Sequence, residues 1–111
     1  MKQEILKKNY LDKSESSEKD LWKRLSTTIA SVEEKNKDFW EDTFYESLED
    51  WKVVLGGRIM ANLGTDSQAT TFNCFVHHPR DIGLRDPDSM EGIYDALNRQ
   101  AKILAAGGGW Q

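Results

Sequence analysis

The chain has 111 residues, which is enough for at most one complete domain with a modest hydrophobic core, and its net charge of −4 is spread over mixed acidic and basic residues. Nothing in this charge pattern suggests the basic stripe that nucleic-acid binding requires, and no apolar run approaches the ~20 residues of a membrane span. The N-terminal segment lacks the apolar core of a signal peptide, and a single cysteine allows no internal disulfide, so we expect a reducing, cytoplasmic environment.

Two helices are predicted in the first half of the chain. Residues 1–16 are polar, and we expect the first few to be loose. Ser17 and Asp20 have capping-box spacing and predict a helix over about 18–35, with an apolar stripe of Leu21, Leu25, Thr28, Ile29 and Val32. A second helix is predicted over about 37–49 and packs antiparallel to the first. Its apolar face holds Trp40, Phe44, Tyr45 and Leu48, and its water-facing carboxylates are Glu41, Asp42, Glu46 and Glu49.

The second half of the chain differs from the first in composition and pattern. The adjacent Gly56 and Gly57 predict a loop that enters a strand, and residues 69–78 are rich in Thr, Phe and Val, as a strand would be. A loop with Pro and Gly follows. Asp88 and Glu91 predict the capping box of a third helix, whose apolar face holds Met90, Ile93, Leu97 and Leu104. That helix ends in three glycines, which exceeds what a helix cap requires.

The residues alone leave the chemistry open. Cys74 is either a small hydrophobe of the core, which is the commoner case, or a redox or nucleophilic thiol that needs a second thiol or a base. Cys74, His77 and His78 lack the four-ligand pattern of structural zinc, so solvated histidines are the better interpretation. The glycine triplet could hold a phosphate through exposed N–H groups, although it lacks the Lys-Ser/Thr of a P-loop.

Four short segments, in order, resemble a known family. GGRIMANLGT, TTFNCFV, DPDSMEGIYDAL and ILAAGGG are similar to the start of the large, catalytic subunit of ribonucleotide reductase, most of all its adenosylcobalamin-dependent class. YLDKSESSEKDLWKRLSTTIASVE and FWEDTFYESLEDWKVVLGGRIM resemble the helical region that precedes the barrel in those enzymes. The resemblance implies a mostly helical α/β fragment. A helical region at 1–55 would precede the first strand and helix of a ten-stranded α/β barrel, truncated here, at 56–111.

The resemblance also implies a substrate site. Cys74 would be one of two thiols that reduce the ribose and end as a disulfide, because the 2′-hydroxyl leaves as water while two electrons are supplied. Asn73 would line the ribonucleotide site, Gly108 and Gly109 would let the backbone approach the nucleotide, and Arg58 would contact the substrate phosphate.

An effector site and several partners are implied in the same way. Asp88, Ser89 and Met90 would bind a deoxynucleoside triphosphate effector at a homodimer interface, where a helix start favours anions and ribose hydroxyls. A thioredoxin-type reductant would regenerate the thiols. No metal site, nucleic acid or membrane is implied.

The departures from the family lead to two alternatives. The family continues Gly-Gly-Gly-Val-Gly where this chain has GGGWQ, and the second redox cysteine, the thiyl-radical cysteine and the cobalamin-contacting region are not in these residues. We therefore expect a truncated or split product that is inactive without the remaining C-terminal polypeptide, and a barrel strand with two open edges. The alternatives are a non-catalytic helical interaction module and a non-functional remnant.

Overall fold

The structure is a computed structural model that describes residues 2–76 and 86–110, except for the side chain of Trp110. It forms two compact units, residues 1–67 and residues 68–111. The first unit contains α1 (Gln3–Asn9), α2 (Glu18–Ala30), α3 (Lys37–Leu48), a 3-10 turn (Glu49–Trp51) and α4 (Gly57–Asn62). The second contains β1 (Cys74–Phe75), α5 (Met90–Ala105) and β2 (Gly109–Trp110). Helix α4 packs with the preceding helices through Met60, and the domain boundary after residue 55 stays a prediction.

The core of the first unit is formed by side chains from four helices. Its buried members are Leu6, Leu21, Trp22, Leu25, Leu48 and Met60. Leu6 is fully buried and holds the polar N-terminal segment on the core as helix α1 from Gln3 onward, and a buried Leu contributes about 1.5–3 kcal/mol. Tyr10 and Leu11 also pack against this core.

Helix α2 begins where the capping box predicts. Asp20 accepts hydrogen bonds from the backbone N–H groups of Ser16 and Ser17, at 2.9 and 3.1 Å. The bond from the Ser16 backbone is the main reason that the pKa of Asp20 lies below its ordinary value. The helix ends at Ala30, five residues before its predicted end, and Val32 is consequently 80% exposed instead of lying on the buried stripe.

Helix α3 packs against α2 and agrees closely with its predicted range. Leu48 is buried, but the prediction that Glu41 faces water was wrong. Its carboxylate is half-buried, pairs with Lys23 and accepts from the Thr27 hydroxyl at 3.1 Å. The hydrogen bond between Lys23 and Glu41 raises the pKa of Lys23 and lowers the pKa of Glu41.

The second unit is a β-α-β arrangement. Strands β1 and β2 are parallel, with Cys74 opposite Gly109 and Phe75 opposite Trp110, and α5 connects them. Within the described part of the predicted strand 69–78, only Cys74–Phe75 are strand; residues 77 and 78 lie outside the described residues. One edge of β1 is paired with β2, so the prediction of two open edges was wrong.

Candidate functional site

Cys74 lies on β1 with its thiol free and exposed. The interpretation of Cys74 as a hydrophobe of the core is therefore wrong. Opposite it on β2 stands Gly109, whose N–H donates to the carbonyl oxygen of Asn73 at 2.6 Å. A methyl group on Gly109 would come within 3.8 Å of Cys74 Sγ and 3.1 Å of the Asn73 oxygen. The absence of a side chain at Gly109 thus leaves room beside the thiol.

Each glycine of the triplet has its own structural cause. Gly107 has a φ of 86° and ends α5, with its N–H donating to Leu104 and the N–H of Gly108 donating to Ile103, both at 2.9 Å. These two bonds form a Schellman motif. A side chain on Gly108 would begin 2.5 Å from the Phe75 ring. The cap needs Gly107, close packing on Phe75 needs Gly108, and the space beside the thiol is left by Gly109.

The same hydrogen bonds contradict a phosphate cradle at the triplet. A cradle needs N–H groups that point away from the chain. All three glycine N–H groups instead donate to carbonyl oxygens of Leu104, Ile103 and Asn73. These glycines can contribute space to a ligand site, but their N–H groups are already used.

The start of α5 differs from its prediction by one residue. The N-cap is Ser89, whose hydroxyl accepts from the Gly92 N–H at 3.1 Å, so the predicted capping box of Asp88 and Glu91 is wrong. Asp88 precedes the cap and is exposed, and Met90 is 67% exposed. The Ser89 hydroxyl also donates to the Asp86 carbonyl at 2.6 Å, which anchors the turn before the helix.

Arg58 lies on α4, in the first unit, and is half-buried. The Gly56-Gly57 pair begins this helix, so the predicted loop entering a strand was wrong. Neither apolar periodicity nor composition distinguishes a helix of six residues from a loop. Because so short a helix is not stable by itself, α4 depends on contacts from elsewhere in the unit.

Those contacts come from Arg24, which the sequence analysis missed. Its guanidinium pairs with Glu15 and donates to the carbonyl oxygens of Met60 (2.8 Å) and Leu63, at the C-terminal end of α4, and of Tyr10 (3.1 Å). Arg24 lies three residues after Leu21 and four before Thr28, on the edge of the apolar stripe, and that position was the available signal.

Gly64 lets the chain leave α4 close to α2. Its φ is 76°, and a side chain there would collide with the Thr28 hydroxyl. Together Arg24 and Gly64 hold the GGRIMANLGT segment, and with it Arg58, on the helical core.

The apolar face predicted for α5 is exposed in this chain. Met90, Ile93, Tyr94, Leu97 and Leu104 are between 53% and 67% exposed. Their spacing of three and four residues aligns them along one side of the helix. A face of this kind normally contacts another surface.

The described residues offer few other candidate sites. No group of three His, Cys, Asp or Glu among them could hold a metal ion, and His77 and His78 lie outside the described residues. No helix in that part of the chain is both long enough and apolar enough to cross a membrane.

The comparisons with known proteins identify the first unit. The family model described as "Ribonucleotide reductase, all-alpha domain" matches residues 1–68 of the 111. No curated protein and no solved structure matches the chain. The match contains Arg58 but ends before Asn73, Cys74, the start of α5 and the glycine triplet, so the roles of those residues stay predictions.

Proposed function

This chain belongs to the ribonucleotide reductase family, whose all-alpha domain its residues 1–68 match, and we propose that it is the N-terminal part of the large, catalytic subunit. In this proposal the first unit precedes the catalytic barrel, and β1 and α5 are the barrel's first strand and helix. The chain converts ribonucleotides to 2′-deoxyribonucleotides only together with the remaining polypeptide.

The exposed Cys74 thiol is the observation that carries the proposal. A ribonucleotide and two thiols give a deoxyribonucleotide, one disulfide and water. The thiols supply two electrons and two protons, and the 2′-oxygen leaves in the water. This chain has one cysteine, so the second thiol belongs to other polypeptide. A thioredoxin-type dithiol then restores both thiols by exchange.

The neighbours of Cys74 suit a substrate that approaches over β2. Gly109 has no side chain to block the thiol, and Gly108 keeps β2 close to Phe75. The main-chain carbonyl of Asn73 is committed to strand pairing, so its exposed side-chain amide is the group available to the ribonucleotide. Arg58 is proposed to contact the substrate phosphate, because a guanidinium donates to phosphate oxygens with fork geometry.

The exposed face of α5 supports the proposed effector site at a homodimer interface. Antiparallel pairing of two copies about Leu97 would place Met90 against Leu104. It would also place Ile93 against Ala101, which lie four residues before and after Leu97 on the same side of the helix. The two copies of Asp88, Ser89 and Met90 would then lie at opposite ends of the pair, where a deoxynucleoside triphosphate would bind.

A charge pair introduced on the apolar faces tests this pairing. Ile93→Lys places a lone cation opposite Ala101 of the other copy and should weaken self-association in sedimentation equilibrium, whereas Ile93→Lys with Ala101→Glu should restore part of it. A double variant as weak as the single variant would exclude this register.

The class of radical generator is also part of the proposal. The resemblance favours adenosylcobalamin, which supplies a radical when bound. No residue of this chain is assigned to it, so no step is derived through it.

Reconstitution tests the proposal as a whole. The chain is co-expressed with a C-terminal reductase piece that begins after the glycine triplet, and deoxyribonucleotide formation is measured with a thioredoxin-type reductant. Cys74→Ser should abolish turnover, while Val76→Ser, at an 86% exposed neighbour, should not. Unchanged turnover with Cys74→Ser would refute the assigned role and favour a non-catalytic interaction module.

A further inference from the structure

The outer side of α3 carries a row of aromatic rings that the core does not use. Phe39 is 62% exposed and Trp40 is 37% exposed. The Phe39 and Trp40 rings meet edge to face at 5.3 Å, and Trp40 stacks on the half-buried Phe44 at 5.8 Å. Rings held against one another form a rigid apolar surface, which loses little conformational entropy when it binds.

A row of carboxylates runs beside Phe39, whereas Trp40 lies farther round the helix. Asp38, Asp42 and Glu46 are exposed and four residues apart, so they follow one line along α3. Their carboxylates make no hydrogen bond or ion pair with the residues that the structure describes. Residues 38–50 contain six acidic and no basic residues (Asp38, Glu41, Asp42, Glu46, Glu49 and Asp50). The outer side of α3 thus combines aromatic anchors with an excess of negative charge, which Lys52, bonded to the main-chain oxygen of Glu46 at 3.1 Å, and Lys23, near Asp42, reduce only in part.

This combination fits a reversible partner better than a permanent interface. Interfaces between separable proteins have aromatic anchors with a charged rim, whereas obligate ones are more apolar. The apolar face of α5 resembles an obligate interface, and the outer face of α3 resembles an interface between separable proteins. A second copy of this chain is disfavoured on α3, because its own carboxylates would meet those of its partner.

We propose that the outer face of α3, defined by Phe39, Trp40, Asp38, Asp42 and Glu46, docks a cationic segment of a separate protein that carries Lys or Arg beside apolar anchors. A cation above the Phe39 ring would gain a cation–π contact, and its neighbours would pair with the acidic line, while Trp40 supplies a further apolar contact. This inference is independent of the proposed reductase activity, because it uses none of the residues assigned to it.

The test titrates the full chain, by calorimetry, with a short helical peptide whose leucines share one face and whose lysines share the other. Two further peptides separate the contributions: one has Glu in place of Lys, and one has Ala in place of Leu. The protein variants are Phe39→Ala with Trp40→Ala, and Asp42→Lys with Glu46→Lys. Glu33→Lys with Glu34→Lys is the matched control, since it makes the same charge change outside α3. Circular dichroism verifies that each variant is folded.

The proposal expects that, of the three peptides, only the one with both leucines and lysines binds. The Asp42/Glu46 variant should weaken that binding by about tenfold or more, the Glu33/Glu34 control should leave it nearly unchanged, and the aromatic variant should weaken it as well. Equal losses in both charge variants would overturn the proposal, because they would mean that the peptide is attracted to the overall charge of the chain and not to α3. It would also be overturned by no loss in the aromatic variant, by no binding, or by self-association that Phe39→Ala abolishes.

Discussion

Removing the guanidinium of Arg24 should destabilise the first unit more than any change to an exposed charge. Its side chain is 10% exposed and that of its partner Glu15 is 8% exposed, and the two meet in a bidentate pair at 2.6 and 3.3 Å. Arg24→Met keeps the apolar stem but leaves a buried carboxylate without its cation. Breaking such a pair costs about 3–5 kcal/mol. This is a large part of the ~5–15 kcal/mol by which domains are stable.

Urea denaturation followed by circular dichroism measures this loss. With a slope of about 2 kcal/mol per molar urea, the midpoint should fall by roughly 2 M. Lys23→Met is the comparison variant, because it removes the cation from the half-buried Glu41, and it should move the midpoint much less, since the Lys23 side chain is 64% exposed. A second variant tests the reason for the loss. Arg24→Met with Glu15→Met removes both charges and should recover part of the stability. An Arg24→Met midpoint equal to that of Lys23→Met, or a double variant no better than the single, would refute the reasoning.

Three further predictions concern the second unit, acid stability and the thiol. Gly108→Ala places a methyl group 2.5 Å from the Phe75 ring and should abolish protection of the β2 amides in hydrogen exchange. Gly109→Ala, whose methyl group would lie 3.1 Å from its nearest atom, should retain most of that protection. Equal protection in both variants would contradict the close packing of Gly108 on Phe75. The pKa of Asp20 is lowered in the folded state, so its contribution to folding stability is present above its ordinary value of 3.8 and is lost as the pH falls through the lowered value. Urea midpoints should therefore drop less between pH 5 and pH 3 in Asp20→Asn than in the wild type. Identical drops would exclude this linkage. Cys74 is exposed, so a disulfide reagent should modify one thiol per chain at the same rate with and without urea, and a rate that rises sharply on unfolding would mean that the thiol is protected.

Local patterns in the sequence predicted local structure well. The spacing of Ser17 and Asp20 predicted the start of α2, because a capping box satisfies N–H groups within one turn of helix. The range of α3 followed from its apolar periodicity. Helix α5 was expected from the same kind of signal, and its start was misplaced by one residue because Ser89 and Asp88 are both good caps.

Long-range contacts decided what these patterns could not. The carbonyl partners of Arg24 at Met60 and Leu63 are 36 and 39 residues away, so no local spacing announces that α4 is held as a helix. Strand β1 pairs with β2, which follows α5, so this pairing joins residues that are far apart in the sequence. The family was implied by motif order in the sequence, and the match of residues 1–68 supports the part of it that is helical.

The sequence by itself therefore determined the positions of the main helices, the single thiol and the need for a glycine at the end of α5. Only the tertiary structure decided that Cys74 is exposed opposite Gly109, that Gly108 is required by the Phe75 ring, and that the apolar side chains of α5 are exposed among the described residues. The physical reason is the distance along the sequence over which each interaction acts. Capping and periodicity act within a few residues, whereas burial depends on which distant side chains arrive at the same place.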